Sequence, residues 1–255
     1  MIREHDSEFL PAGAHDDEPQ DAELAGELIE DIYTLSPVQQ GMLFHILSTP
    51  DQGLYFDQTV LAVSGALDEE ALFQAWREVL HRHPALRTSF LWDGLSKPVQ
   101  VVHRQVPLDY RTLDWRRVEP QVQKVQFEVL LEEDRQRGLD LSSPPLLRIH
   151  LVRMAKEQHM LLWSVSHLVA DGWCSAILID EVVSLYEAFR HQRRPDLPRR
   201  TPYREYVAWL KRQDLEAAEH FWKEMFDGLA VGTRVKPDIA SRSDGPCPTF
   251  RREGL

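Results

Sequence analysis

A histidine and an aspartate lie close together just after an apolar segment in the middle of the chain. Residues 161–165 read LLWSV, and residues 166–172 continue as SHLVADG. An imidazole can accept or donate a proton near neutral pH, and a carboxylate nearby can orient a charged partner. The pattern indicates acid–base chemistry where a strand ends, with His167 as the candidate catalyst.

Alternation along the predicted strand determines where these side chains point. Trp163, Val165 and His167 share one face of the strand, and Ser166 lies on the other. We therefore expect His167 to lie in an apolar surround as a neutral imidazole that can accept a proton. Ser166 points away, which argues against a Ser166–His167 nucleophile pair, because such a pair must meet within hydrogen-bond distance.

Asp171 and Gly172 have expected structural roles in the same segment. Asp171 can orient a cation, either His167 or an arginine from elsewhere in the fold. Gly172 can adopt a backbone conformation that is barred to other residues. A lone histidine at a strand end is more often a structural hydrogen-bonding residue than a catalyst, so the HxxxDG pattern alone leaves both interpretations open. The other histidines lack partners at metal-ligand spacing, and we predict no metal site.

The elements that must position this segment follow from local patterns. Ser36, Pro37 and Gln39 form a helix start with a capping box, and Asp68 can cap a second helix. Predicted strands are 57–63, 86–92 and 98–103, and a hairpin pairs 146–154 with 159–167. Further helices are predicted at 119–137, after Gly172, and at 203–226. The pattern predicts an α/β protein with a mixed sheet.

Composition limits the class of protein. The 255 residues carry a net charge of −12, and the first 31 residues hold eleven acids against one base. We predict an acidic disordered tail at 1–31 and no nucleic-acid partner, because phosphate binding needs a basic face. No apolar stretch is long enough to cross a bilayer, and the start lacks a secretory signal, so we expect a cytoplasmic location.

Four motifs occur in order along the chain. Residues 33–45 read YTLSPVQQGMLFH, residues 82–90 read RHPALRTSF, residues 166–172 read SHLVADG, and residues 203–209 read YREYVAW. With these motifs the chain resembles the condensation domains of nonribosomal peptide synthetases. The third motif stands where the family has HHxxxDG, and Ser166 replaces the first histidine.

The resemblance implies a chloramphenicol-acetyltransferase-like N-terminal lobe at 32–192, followed by a linker and the start of a second lobe at 193–255. In the family, the phosphopantetheine arms of two carrier proteins deliver a thioester and an amine to a tunnel between two lobes, and no cofactor is bound directly. The catalytic histidine maps to His167. Asp171 maps to an aspartate that forms a salt bridge with an arginine, for which Arg87 is the candidate.

The chain ends at Leu255, before the later motifs of the family, so we expect an incomplete domain that needs a C-terminal lobe or another synthetase module as partner. Three hypotheses remain. The first is amide-bond formation as part of an enzyme. The second is an inactive module that recruits a carrier or another partner. The third is an ester-forming acyltransferase of the same superfamily.

Overall fold

The computed structural model describes residues 28–229. Its strands are β1 Ile29–Thr34, β2 Phe56–Ser64, β3 Thr88–Leu91, β4 Val99–His103, β5 Asp109–Asp114, β6 Leu147–Ala155 and β7 Gln158–Ser166. Its helices are α1 Pro37–Ser48, α2 Glu69–Arg82, α3 Pro120–Arg137, α4 Gly172–Arg190, α5 Tyr203–Leu210 and α6 Leu215–Met225. Short 3-10 turns cover Pro50–Gln52 and Pro84–Arg87.

The strands form two sheets. The smaller sheet is antiparallel, with the strand order β1-β4-β3. The larger sheet has the order β2-β7-β6-β5, in which β5 and β6 are parallel and the other pairs are antiparallel. The sheet is therefore mixed, as the sequence predicts.

Helices cover both faces of the larger sheet. On one face, α2 and α4 pack on Leu147, Ile149 and Leu151 of β6 and on Leu161, Trp163 and Val165 of β7. On the other face, α3 places Phe127 and Leu130 against Val152 and Leu162. The predicted alternation of side chains along β7 is confirmed, because Leu161, Trp163 and Val165 face α2 and α4, whereas Leu162 faces α3. If the alternation continues past Ser166, His167 lies on the side of α2 and α4.

Local capping signals predict the helix starts correctly. Ser36 accepts a hydrogen bond from the Gln39 amide, and the Gln39 side chain accepts one from the Ser36 amide, which completes the capping box of α1. Asp68 caps α2 through the Ala71 amide. Each side chain satisfies a helix N–H that has no partner within the helix.

Other predicted boundaries are wrong. The strand β1 begins at Ile29, so its first three residues lie in the fold and not in the tail expected at 1–31. The strand β5 was not predicted, because its sequence DYRTLD has few apolar residues. The helix expected at 203–226 is two helices, because Asp214 caps a new start through the Ala217 amide.

Two compact units divide between Arg212 and Gln213. The first contains both sheets, and the second contains α6. The expected acidic tail before residue 28 and the part of the expected second lobe after residue 229 lie outside the described residues. None of the helices in the described part of the chain is long and apolar enough to span a membrane.

Candidate active site

His167 is the first residue after β7, and contacts to β2 and to the residue before β2 fix its position. Its backbone N–H donates to the Tyr55 carbonyl at 2.8 Å. Its ring Nδ1 lies 2.5 Å from Oδ2 of Asp57, and 31% of the side chain is exposed. The expected apolar surround of His167 is therefore wrong, because the strand has ended and the ring meets a carboxylate at the sheet edge.

Asp57 is a site residue that the sequence did not indicate. It lies in β2 opposite Val165 of β7, one diagonal step from His167. On adjacent strands, such diagonal neighbours come within reach of long side chains. In the sequence, Asp57 is only a charged residue at the start of a predicted strand. The pairing register of the strands is needed to show that it meets His167.

Tyr55 joins this pair to α1. Its hydroxyl lies 3.0 Å from Nδ1 of His45, and its ring centroid lies 6.4 Å from that of His167. Tyr55 has a φ of 59°, in the left-handed region that side chains other than glycine rarely adopt. Backbone in this region is strained and is found preferentially at functional sites.

Ser166 is buried at 3% exposure and takes part in the turn that follows β7. Its carbonyl accepts from the amides of Val169 and Ala170, and its Oγ accepts weakly from the Leu168 amide at 3.4 Å. Among the described residues its hydroxyl makes no hydrogen bond with His167. The position holds the turn together, which agrees with the rejection of a serine nucleophile.

Asp171 caps α4, since its Oδ1 accepts from the Cys174 amide at 2.8 Å. This amide holds the pKa of the Asp171 carboxyl below its ordinary value, and His167 adds a smaller electrostatic contribution. The expectation for Gly172 is wrong. Its φ lies outside the left-handed region, and an added Cβ would meet no atom within 4 Å.

Arg87 lies elsewhere and does not pair with Asp171. Its guanidinium, with 5% of the side chain exposed, donates to Glu30 Oε2 at 2.8 Å and also to the His103 carbonyl. Its Nε donates to the Leu80 carbonyl at 3.1 Å. The suggested Arg87–Asp171 salt bridge is therefore wrong. Arg87 instead ties the end of α2 to β1 and β4 of the smaller sheet.

A cavity of about 400 Å³ opens beside His167. Its wall combines α1, the turn after β7, the first turns of α4 and the segment before α5. The apolar members of this lining include Val38, Met42, Leu86, Leu168, Val169, Ala170, Ile177 and Leu178. A catalytic candidate at the edge of an apolar cavity is the usual arrangement of a small-molecule site.

Glu181 anchors one side of this cavity. Its carboxylate is fully buried and binds Nε of Arg82, Nε2 of His83 and Nε of Arg200 at 3.1, 2.9 and 2.7 Å. Burial would raise the pKa of Glu181, but the hydrogen bonds from Arg200, His83 and Arg82 outweigh burial and hold it below its ordinary value. The second motif and the segment before α5 are thereby attached to α4.

The chemistry available at this site is proton transfer in a partly enclosed pocket. His167 supplies the titratable group, and Asp57 contacts its Nδ1. Within residues 28–229, no group of three or more histidine, cysteine, aspartate or glutamate side chains is arranged to hold a metal ion.

Curated relatives are peptide synthetases. The chain is 42% identical over 206 residues to one of the linear gramicidin synthase proteins of Brevibacillus parabrevis, a match that covers 81% of this chain and 4% of that protein. It is 30% identical over 224 residues to surfactin synthase subunit 3 of Bacillus subtilis (strain 168), which covers 88% of this chain and 18% of that protein. The chain thus spans a small part of each relative.

Solved structures show the same fold. The starter condensation domain of rhizomide synthetase superposes with a TM-score of 0.69 at 19% identity, over 80% of this chain and 52% of that one. An epimerization domain of tyrocidine synthetase B superposes with a TM-score of 0.71 at 21% identity, over 84% of this chain and 48% of that one. The expected chloramphenicol-acetyltransferase-like fold is confirmed, and the chain spans about half of each solved chain.

The motif order, the fold and a family match now agree. The family model described as "Condensation domain" matches residues 29–245, which is most of the chain. The chain belongs to the condensation domain family of nonribosomal peptide synthetases.

Proposed function

We propose that the chain forms one lobe of an enzyme that makes amide bonds in nonribosomal peptide synthesis, by transferring an acyl group from a carrier-bound thioester to a carrier-bound amine. The observation that carries the proposal is the contact between His167 and Asp57 at the edge of the cavity. Through this contact, Asp57 orients the imidazole of His167, the residue that corresponds to the catalytic histidine of the family.

The tautomer of His167 follows from this contact. An ionised carboxylate can only accept hydrogen bonds, so a neutral His167 ring that bonds to Asp57 holds its proton on Nδ1 and donates it to Asp57. The other nitrogen, Nε2, is then the proton acceptor. In this role Asp57 resembles the carboxylate that orients the histidine of a catalytic triad.

The reaction balances with one general base. The amine nitrogen attacks the thioester carbonyl, the C–N bond forms and the C–S bond breaks. His167 takes a proton from the amine through Nε2 and returns it to the departing thiolate. Alignment of the two reactants supplies much of the rate, and a general base contributes a further ~10²–10⁴-fold.

The substrates, on this proposal, arrive on phosphopantetheine arms of carrier proteins, and a second lobe encloses the reacting groups. No directly bound cofactor takes part. The membership of the matched relatives in multi-module synthetases supports carrier domains and neighbouring modules as partners.

The test is mass spectrometry of a reaction that contains a donor carrier thioester, an acceptor carrier, this chain and a C-terminal lobe of the family. Amide product that depends on His167 supports the proposal. Carrier binding without product would favour a recruiting module. Product only with a hydroxy-acyl acceptor would favour the ester-forming acyltransferase.

A further inference from the structure

The cavity beside His167 has the properties of a pocket that selects part of the substrate. We propose that it receives an uncharged, apolar side chain of the acyl or aminoacyl group that reacts at His167. The inference rests on the proposed function, because it names the substrate class of the same site.

The cavity is large enough to hold a side chain. Its volume of about 400 Å³ lies within the ~300–1,000 Å³ that small-molecule pockets occupy. Leu86, Leu168, Ala170 and Leu178 are each no more than 4% exposed, so they form a buried floor. Ile177 is 40% exposed and lies at the rim.

Two buried glutamines, Gln39 and Gln100, are polar members of the lining, and their hydrogen-bond donors are fully used. Gln39 Nε2 donates to Gln100 Oε1 at 3.3 Å and to the Leu168 carbonyl at 3.0 Å. Gln100 Nε2 donates to the Thr34 carbonyl at 3.3 Å and to Gln39 Oε1 at 3.0 Å. A side-chain amide has two N–H groups, so all four are occupied.

Three further polar groups of the lining are also engaged. The Tyr203 hydroxyl donates to Ser36 Oγ at 3.0 Å, and Arg200 Nε donates to Glu181 at 2.7 Å. The Asp171 carboxylate accepts from the Cys174 amide. A polar ligand side chain would lose its water there, and these engaged groups could serve it only if an existing bond broke, whereas an apolar side chain gains free energy by burial.

The position of the cavity beside His167 indicates which group it binds. His167 itself lines the cavity, so a group held there lies beside the proposed proton acceptor. A substrate side chain meets this requirement, because the side chain and the reacting carbonyl or amine belong to one residue. An apolar side chain from another polypeptide is the alternative occupant, and in that case a substrate analogue would not protect the cavity.

Cys174 lines the cavity and supplies a direct measurement of occupancy. In a Cys247→Ser background, the rate of Cys174 alkylation by iodoacetamide is followed by mass spectrometry at fixed alkaline pH, because burial raises the pKa of this thiol. The probes are stable amides that join leucine or asparagine to aminopantetheine. Leucine and asparagine have nearly the same shape, so the comparison isolates polarity.

The leucine probe is expected to slow alkylation at a concentration at least about tenfold lower than the asparagine probe. Ile177→Trp, which narrows the rim, is expected to abolish this protection. Val183→Trp is the matched control, because Val183 is a 55% exposed residue of the same helix and lies outside the cavity lining; it should retain protection.

Equal protection by both probes, protection by neither, or protection that survives Ile177→Trp would overturn the inference. These outcomes are independent of amide formation, which is assayed separately. Absence of product together with selective protection by leucine would contradict the proposed function and leave the apolar pocket established.

Discussion

Nδ1 of His167 lies 2.5 Å from the carboxylate of Asp57, although 110 residues separate them in the chain. The contact exists because β2 and β7 are antiparallel neighbours, so that the start of β2 lies beside the end of β7 at one edge of the larger sheet. On the proposed mechanism, the contact leaves Nε2 as the nitrogen that accepts a proton. The proposed chemistry therefore depends on a carboxylate outside the motif that contains the histidine.

Replacing Asp57 by asparagine tests this dependence. An asparagine amide can donate to Nδ1, which favours the tautomer with the proton on Nε2 and removes the proton acceptor. We expect the rate of amide formation to fall by about 10²-fold or more, a loss within the ~10²–10⁴-fold contribution of a general base. The measurement is the initial rate of product formation by mass spectrometry, over a range of pH.

Two further variants control for a merely structural effect. Asp57→Glu keeps an acceptor and should recover part of the activity, and Asp93→Asn, at an exposed position, should leave the rate unchanged. If Asp57→Asn retains the rate and pH profile of the unaltered protein, Asp57 does not orient His167.

Asp171 is expected to act through its cap and not through a salt bridge. Asp171→Ala removes the acceptor for the Cys174 amide and should lower the free energy of unfolding by about 1 kcal/mol. Asp171→Asn keeps a capping oxygen and should be nearly neutral. Urea unfolding of both variants measures the two free energies of unfolding to be compared. An asparagine variant as unstable as the alanine variant would show that the charge of Asp171 matters.

A second buried carboxylate, Asp134 of α3, holds the larger sheet from its other face. It binds Arg148 at 2.7 Å and His150 at 3.1 Å, and the Ser164 hydroxyl donates to it. Asp134→Asn removes the buried one of the two carboxylates that bind Arg148, while Asp109 stays in place at 3.0 Å, and should reduce stability by ~1–3 kcal/mol. Glu133→Gln, at an exposed position of the same helix, is the control, and denaturant midpoints should separate the two.

Acid should destabilise the fold through the same carboxylate. Burial raises the pKa of Asp134, but hydrogen bonds from His150, Ser164 and Arg148 outweigh this and hold the pKa well below its ordinary value. A depressed folded-state pKa contributes stability above the unfolded value near 4, and this contribution is lost as pH falls through the folded value. Urea unfolding between pH 7 and pH 2 should show this loss beginning below about pH 4, and Asp134→Asn should flatten it.

Local features of the fold were predictable from sequence. The capping side chains of Ser36 and Asp68 act on amides within three residues, so their function depends on nearby chain alone. The alternation of β7 is equally local, because neighbouring side chains of a strand must point to opposite faces. These patterns predicted most helices, the hairpin and the position of the candidate histidine.

Features that depend on strand pairing were not predictable. Asp57 meets His167 only through the register of β2 and β7. Glu30 looked like part of an acidic tail, yet it lies in β1 and binds the buried Arg87. Family resemblance suggested a different partner for Arg87. In each case the missing information was which distant strand lies beside the residue.

The most direct test of the account is the amide product formed with and without His167. The reaction combines donor and acceptor carriers, this chain and a C-terminal lobe, and compares the unaltered protein with His167→Ala. His191→Ala is the control, because the His191 side chain is 54% exposed at the end of α4. We expect a loss of about 10²–10⁴-fold for His167→Ala with unchanged folding and no loss for the control. Normal turnover by folded His167→Ala protein would contradict it.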